Sequence, residues 1–196
     1  MARRKFWGWG LEGEGLAASE IEQLGAVFTE RLGTNGVRVQ EPPRVEELDL
    51  PAPRLAPPAS LEPAFSSDPY DRAAHTYGRS FRDLVRAFRG DFAHAPDLVA
   101  SPRGEGELVS VLEWCGGAGA AAIPFGGGSS VVGGVEPDVG DGYAGAVSVD
   151  LGHLAGGAGG RPWLAGRADR RRHAGARPGG AAEAARPDVA AFPAVV

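Results

Sequence analysis

The stretch that decides the fold runs from residue 98 to residue 130 and reads LVASPRGEGELVSVLEWCGGAGAAAIPFGGGSS. It begins with a short apolar run, continues with helix-forming residues, and ends with a second apolar run and the five small residues GGGSS. Short apolar runs bounded by turn residues are typical of buried strands. The pattern therefore predicts a β-α-β unit that leads into a glycine-rich loop.

The helix of this unit is predicted over residues 104–120, and a further buried strand, AVSVDL, is predicted over 146–151. The helical repeat places four apolar side chains on the inward face. These are Leu108, Val111, Leu112 and Cys115. A loop between a β-α-β unit and another strand is a common position for a ligand.

Upstream, the spacing of apolar residues predicts a helix over residues 14–33 that ends at Gly33. Residues 41–69 contain eight prolines, which predicts an extended segment.

A second upstream helix is predicted to begin at Ser80, which is suited to cap it, with Asp83 three residues later. Its apolar face is formed by Phe81, Leu84, Val85 and Phe88. Arginines at 79, 82, 86 and 89 fall near the opposite face, which we interpret as solvated, with phosphate contact as the alternative.

Composition excludes several classes of protein. The chain has 196 residues, is 43% hydrophobic and has a formal net charge of -5, so we expect a globular protein that does not bind nucleic acid. The single cysteine, Cys115, and an N-terminus without an apolar export core predict a cytoplasmic protein, and no run is long enough to span a membrane. The four histidines are scattered, which predicts no metal site, and Cys115 is interpreted as a core residue.

The glycine loop has the composition of an anion-binding nest, because consecutive glycine amides are able to approach a ligand closely. It is not the phosphate loop of nucleotide triphosphatases, since no Gly-Lys-Ser/Thr follows. It also lacks the dinucleotide fingerprint, since Val131 stands where the third glycine would be.

The segments PDLVASPRGEGELVSVLEWC, IPFGGGSSVVGGVEP and AVSVDLGHL, with the upstream KFWGWG, resemble the p-cresol methylhydroxylase and vanillyl-alcohol oxidase superfamily. Within it, the alkyldihydroxyacetonephosphate (alkylglycerone-phosphate) synthase branch is the most similar. The resemblance covers most of residues 5–154. It implies an α+β fold in which these residues form the α/β-like first lobe of a PCMH-type FAD-binding domain.

The resemblance further implies that the loop binds the pyrophosphate of FAD. The residues carried over are Pro124, Phe125, Gly126, Gly127, Gly128, Ser129 and Ser130. Many oxidases of the superfamily have a flavin-linking histidine where Gly128 and Ser129 stand here, so the resemblance implies noncovalent FAD. No catalytic residue is carried over onto this chain.

For the intact parent protein, the resemblance implies exchange of the acyl group of acyl-dihydroxyacetone phosphate for a fatty alcohol, in ether-lipid synthesis. It also implies a lipid-like or other small-molecule substrate and is compatible with a homodimer. Two alternatives stay open. One is an FAD-linked oxidoreductase of a 2-hydroxy acid such as glycolate or D-lactate, and the other is an inactive remnant or a non-enzymatic module.

Three regions are predicted: a helical and proline-rich region at 1–95, the first FAD-domain lobe at 96–154, and a tail at 155–196. The 42 tail residues include 13 Ala, 8 Gly, 7 Arg and 4 Pro, which predicts either a disordered tail or the product of an out-of-frame reading of a GC-rich gene. Without the second lobe, we expect FAD binding by this chain alone to be weak or absent, and we expect the chain to be inactive.

The frameshift hypothesis makes a testable prediction. The nucleotide sequence across codons 150–200, read one base out of frame, should encode a continuation that resembles the synthase branch. Sequencing the gene checks this. Early stop codons in the shifted frame would contradict it.

Overall fold

The helices and strands follow the sequence pattern closely in the central part of the chain. The computed structural model describes residues 3–33 and 40–156. The tail predicted at 155–196 lies, apart from its first two residues, outside the described residues. The elements are α1 (Ala18–Leu32), β1 (Phe65–Ser66), α2 (Pro69–Ala74), α3 (Phe81–Phe88), β2 (Leu98–Ala100), α4 (Glu105–Gly117), β3 (Ala120–Phe125) and β4 (Gly145–Asp150), with short 3-10 turns at Val45–Glu47, Glu62–Ala64 and Gly152–Gly156.

Four strands form one mixed sheet in the order β1-β2-β4-β3. Strands β2, β4 and β3 are parallel, and β1 pairs antiparallel with β2. The parallel strands end at the same edge, where Phe125 pairs with Asp150 and the glycine loop begins. The predicted α+β fold and β-α-β unit are therefore confirmed.

Helix α4 packs its apolar side chains against β2 and β4. Val111 has no exposed surface, and Cys115 lies beside it in the core with Val147 and Val149. Burial raises the pKa of the Cys115 thiol, which agrees with a packing role. The prediction was wrong for Leu112, which is 46% exposed, because the buried face of α4 is a narrow stripe through Val111 and Cys115.

A second apolar cluster joins the N-terminal segment to α2 and to the residues that follow α3. Phe6 packs edge-on against Tyr70 and Phe92, with ring centroids 5.5 and 5.8 Å away. Tyr77 also contacts Phe92. The cluster fixes residues 3–11 beside the start of α2, close to the glycine loop.

The predicted upstream helices form, but their apolar faces are placed differently. Helix α1 ends at Gly33 as predicted, yet none of its residues is buried. Helix α3 is capped by Ser80 and Asp83 as predicted. Its buried residues are Asp83 and Ala87, however, while Phe81 is 82% exposed. The small Ala87 side chain lets this face approach the core, while Leu84, Val85 and Phe88 are half-buried.

Asp97, the residue before β2, connects three parts of the fold. Its buried carboxylate accepts hydrogen bonds from the backbone N–H and the guanidinium of Arg54, at 2.6–3.0 Å, and from the N–H of Ala146 at 2.8 Å. Burial alone would raise the pKa of Asp97, but these hydrogen bonds outweigh it and the pKa is lowered. The proline-rich segment is thereby attached to β2 and β4.

Replacing Asp97 by Asn should lower the free energy of unfolding at pH 7 by about 2 kcal/mol, because the carboxylate charge and one acceptor oxygen are lost. Urea unfolding measures the difference. Since the folded pKa is depressed, the deficit should be complete above about pH 4 and should shrink as the pH falls through the folded pKa. Asp141 is exposed, and the Asp141→Asn variant is the control, which should change the free energy of unfolding by less than about 0.5 kcal/mol. Equal free energies of unfolding for the two variants would contradict this role of Asp97.

Candidate functional site

The glycine loop lies at the end of β3, at the edge where the parallel strands terminate. Pro124 and Phe125 belong to the strand itself, and Gly126 to Ser130 form the loop. Leu151, which follows β4, donates its N–H to the carbonyl of Phe125 at 2.9 Å. The sheet thus fixes the start of the loop.

Two other segments hold the loop through its carbonyl oxygens. The Arg4 guanidinium donates to the carbonyl of Gly127 at 2.7 Å, and the backbone N–H of Arg79 donates to the carbonyl of Ser130 at 2.7 Å. The Ser130 hydroxyl accepts a hydrogen bond from the N–H of Gly134 at 3.3 Å. The carbonyls of Phe125, Gly127 and Ser130 are therefore all occupied by protein donors.

The backbone N–H groups of the loop, unlike its carbonyls, are not hydrogen-bonded to any described residue. Across residues 3–33 and 40–156, no hydrogen-bond acceptor is found for the N–H groups of residues 126–130. These five consecutive donors are unpaired among the described residues; Gly126, Gly127 and Ser129 are exposed, whereas Gly128 is buried. Consecutive unpaired amides in a glycine-rich loop are able to donate to phosphate oxygens, so the loop is compatible with a pyrophosphate.

Two glycines shape the loop. Gly128 has φ +66°, and a Cβ there would lie 2.8 Å from the ring of Phe125. A Cβ on Gly78 would lie 2.1 Å from the carbonyl oxygen of Ser130, because the chain between α2 and α3 passes directly against the loop backbone. Both positions require the absence of a side chain.

Arginine side chains from distant parts of the sequence border the loop. Arg4 and Arg79 both line a cavity of about 250 Å³ that includes Gly126, and both line a second cavity of about 210 Å³ that includes Gly127. Burial, followed by the charge of Arg4, lowers the pKa of Arg79. Sequence reasoning treated the arginines around α3 as a solvated face and did not consider Arg4.

His75 and Asp150 lie in the larger cavity. Nε2 of His75 is 3.3 Å from Oδ2 of Asp150, Nδ1 is 2.7 Å from the carbonyl oxygen of Asp71, and the ring centroid is 4.4 Å from that of Phe125. Burial alone would raise the pKa of Asp150, but hydrogen bonds from His75 and from the N–H of Gly152 lower it. The His75 side chain is 13% exposed and packs against the ring of Phe125.

An apolar groove of about 360 Å³ runs along α3. Trp7 packs edge-on against Phe88, with ring centroids 5.7 Å apart, whereas Trp9 is largely exposed. Of the two tryptophans, Trp7 is therefore the one that packs on the fold. The other large apolar residues that line the groove are Phe81, Leu84 and Val85.

The part of the chain that the structure describes contains no group of three or more His, Cys, Asp or Glu side chains arranged to hold a metal ion. Its helices include none with the length and apolar character needed to cross a bilayer.

Gly78→Ala should displace the loop and lower the free energy of unfolding by about 2 kcal/mol, because the new methyl group overlaps the Ser130 carbonyl. Thermal or urea unfolding measures the loss. Gly142→Ala is the matched control, since a Cβ at Gly142 meets nothing within 4 Å. The close approach of the two backbones would be contradicted if both variants had the stability of the original chain.

The sequence and the fold of this chain are similar to those of one group of enzymes. No protein-family model matches the chain. The chain is 36% identical over 84 residues to the alkyldihydroxyacetonephosphate synthase of Trypanosoma brucei brucei, covering 43% of this chain and 14% of that protein. It is 34% identical over 91 residues to the enzyme of the same name from Dictyostelium discoideum, covering 46% of this chain and 15% of that protein.

The fold is shared with the same enzyme. A solved structure of alkyldihydroxyacetonephosphate synthase in space group P1 superposes with a TM-score of 0.61 and 24% identity, over 77% of this chain and 33% of that one. In sequence, the match spans about one-seventh of the length of these curated relatives. The chain is thus closely similar to alkyldihydroxyacetonephosphate synthases over a limited part of their length.

Proposed function

We propose that this chain binds FAD noncovalently, with the pyrophosphate on the loop of residues 126–130, and that the binding is weak because the chain supplies only part of the site. One observation carries the proposal: the loop carbonyls are held by the protein while five consecutive amides donate to no described residue. Pyrophosphate oxygens are strong acceptors, and hydrogen bonds to a charged acceptor are stronger than those between neutral groups. The similarity to alkyldihydroxyacetonephosphate synthases supports FAD as the source of the pyrophosphate.

The parent activity that we propose is that of an alkyldihydroxyacetonephosphate synthase, in which a fatty alcohol replaces the acyl group of acyl-dihydroxyacetone phosphate. When bound, FAD supplies an isoalloxazine ring that acts at the substrate carbon without net redox change. The described residues bind and orient the cofactor, and none is assigned a catalytic role. The relatives favour this reaction over oxidation of a 2-hydroxy acid.

The side chains around the loop have roles that follow from their contacts. Phe125 fills the space beneath Gly128, and His75 packs against the Phe125 ring. Gly128 and Ser129 provide no nucleophilic nitrogen to attach to the flavin. These residues therefore shape a noncovalent site.

The test is a titration of the full chain with FAD, followed by tryptophan fluorescence, because Trp9 lines the cavity that contains Gly127. We expect saturable quenching, and after acid precipitation all flavin should remain in the supernatant. Binding that is undetectable at the highest soluble FAD concentration would refute the proposal. Flavin that precipitates with the protein would refute the noncovalent mode.

Gly128→Ala should weaken FAD binding about fivefold or more, because alanine is strained at φ +66° and its methyl group meets the Phe125 ring. Gly127→Ala is the matched control. Gly127 does not have a positive φ, and a Cβ there has its nearest neighbour at 3.9 Å. The role of the loop conformation would be contradicted if the two variants bound FAD equally well.

A further inference from the structure

Arg4 and Arg79 stand out among the arginines near the loop because they lack carboxylate partners. Arg3 contacts Asp68 and Asp71, Arg54 is paired with Asp97, and Arg86 is paired with Asp91 and Glu136. Within the described parts of the chain, neither Arg4 nor Arg79 forms an ion pair. The charge of Arg4 is felt by Asp150 and that of Asp83 by Arg79, but neither carboxylate forms an ion pair with these arginines. The two neighbouring positive charges repel each other, so an anionic ligand between them would lower the free energy of the site.

Backbone carbonyls fix both guanidinium groups. Arg79 donates from Nη1 to the carbonyl of Gly78 at 2.8 Å and from Nη2 to that of Lys5 at 3.1 Å. Arg4 donates from Nη1 to the carbonyl of Gly127. Neutral carbonyls orient a guanidinium without cancelling its charge, and each arginine has five N–H donors. Nε of both residues and Nη2 of Arg4 therefore retain donors that meet no acceptor among the described residues.

The cavities place these charges next to the loop amides. Both arginines line the cavity that contains Gly126 and the neighbouring cavity that contains Gly127. An anion in either cavity meets two cations and the glycine loop together. Asp71 and Asp150 also line the larger cavity, whereas the smaller cavity has no carboxylate among its lining residues and is therefore the more favourable of the two for an anion. Since the chain carries a net charge of -5, this is a local positive site on an acidic protein.

We propose that Arg4 and Arg79 form a cation pair that binds the diphosphate group of the ligand on the glycine loop and makes the site selective for diphosphate-bearing ligands. The inference rests on the proposed function, in which that diphosphate belongs to FAD. Loop amides and arginines contribute differently: the amides position the oxygen atoms, and the two guanidinium groups balance their charge. Ligands that have the flavin ring but no phosphate gain nothing from the pair.

The experiment uses the full 196-residue chain and inorganic pyrophosphate as the probe. Nitrogen-15 NMR follows the amide signals of residues 126–130 during the titration. Arg4→Gln and Arg79→Gln should each raise the dissociation constant about tenfold or more, since each removes a charge-assisted hydrogen bond. Arg82→Gln is the matched control, because Arg82 is an exposed arginine of α3, and its dissociation constant should change less than about twofold.

Two further measurements separate charge from folding. Arg4→Lys and Arg79→Lys keep the charge and should retain more affinity than the glutamine variants, while circular dichroism verifies that each variant is folded. In the original chain, affinity for pyrophosphate should fall as NaCl is raised, because the site is partly open to solvent. Riboflavin, which has no phosphate, should bind Arg4→Gln and the original chain equally.

The outcomes distinguish this inference from the proposed function. If FAD binds but Arg4→Gln and Arg79→Gln bind pyrophosphate as tightly as Arg82→Gln, the cation pair is refuted and FAD binding stands. If pyrophosphate binds through the two arginines but FAD does not bind, the pair is supported and the cofactor assignment is refuted. If the original chain binds no pyrophosphate, the pair is refuted, and a carboxylate elsewhere in the protein becomes the expected partner of the arginines.

Discussion

The planar trans peptide unit places its carbonyl oxygen and its amide hydrogen on opposite sides, and the glycine loop depends on this constraint. Leu151 holds the Phe125 carbonyl, and Arg4 holds the Gly127 carbonyl. The N–H of the next residue in each peptide unit, Gly126 or Gly128, must then point away from these donors. The hydrogen bonds that hold the carbonyl oxygens of Phe125 and Gly127 therefore also orient the N–H groups of Gly126 and Gly128.

The groups that hold the loop carbonyls come from parts of the chain that are far from the loop in sequence, and a hydrophobic core positions them. Arg4 is held in place because Phe6, two residues later, is packed between Tyr70 and Phe92. The chain at Gly78 contacts Ser130 because Tyr77 is anchored in the same cluster. The packing of this hydrophobic core thus fixes the positions of the Arg4 guanidinium and the Arg79 N–H, which donate hydrogen bonds to the loop.

The local pattern of the sequence predicts most of the sheet and the position of the loop. Strands β2, β3 and β4 are short apolar runs bounded by turn residues, and that signal is contained within a few neighbouring residues. The same reasoning could not find Arg4, because its partner Gly127 is 123 residues away in sequence. For α3, apolar periodicity identifies a face but not how completely a neighbour covers it: Leu84, Val85 and Phe88 are half-buried, Phe81 is exposed, and the most buried side is that of Asp83 and Ala87. His75 and Asp150 were missed for the same reason, since only the folded sheet brings them together.

Strand β3 occupies the edge of the four-stranded sheet, and Pro124, exposed near its end, is the residue before Phe125. An open edge is a template on which another chain is able to add a strand, and proline interrupts such addition because it has no N–H to donate. The residue that leads into the loop therefore also protects against aggregation. The residue that limits intermolecular β-pairing thus lies two residues before the loop that we propose as a ligand site.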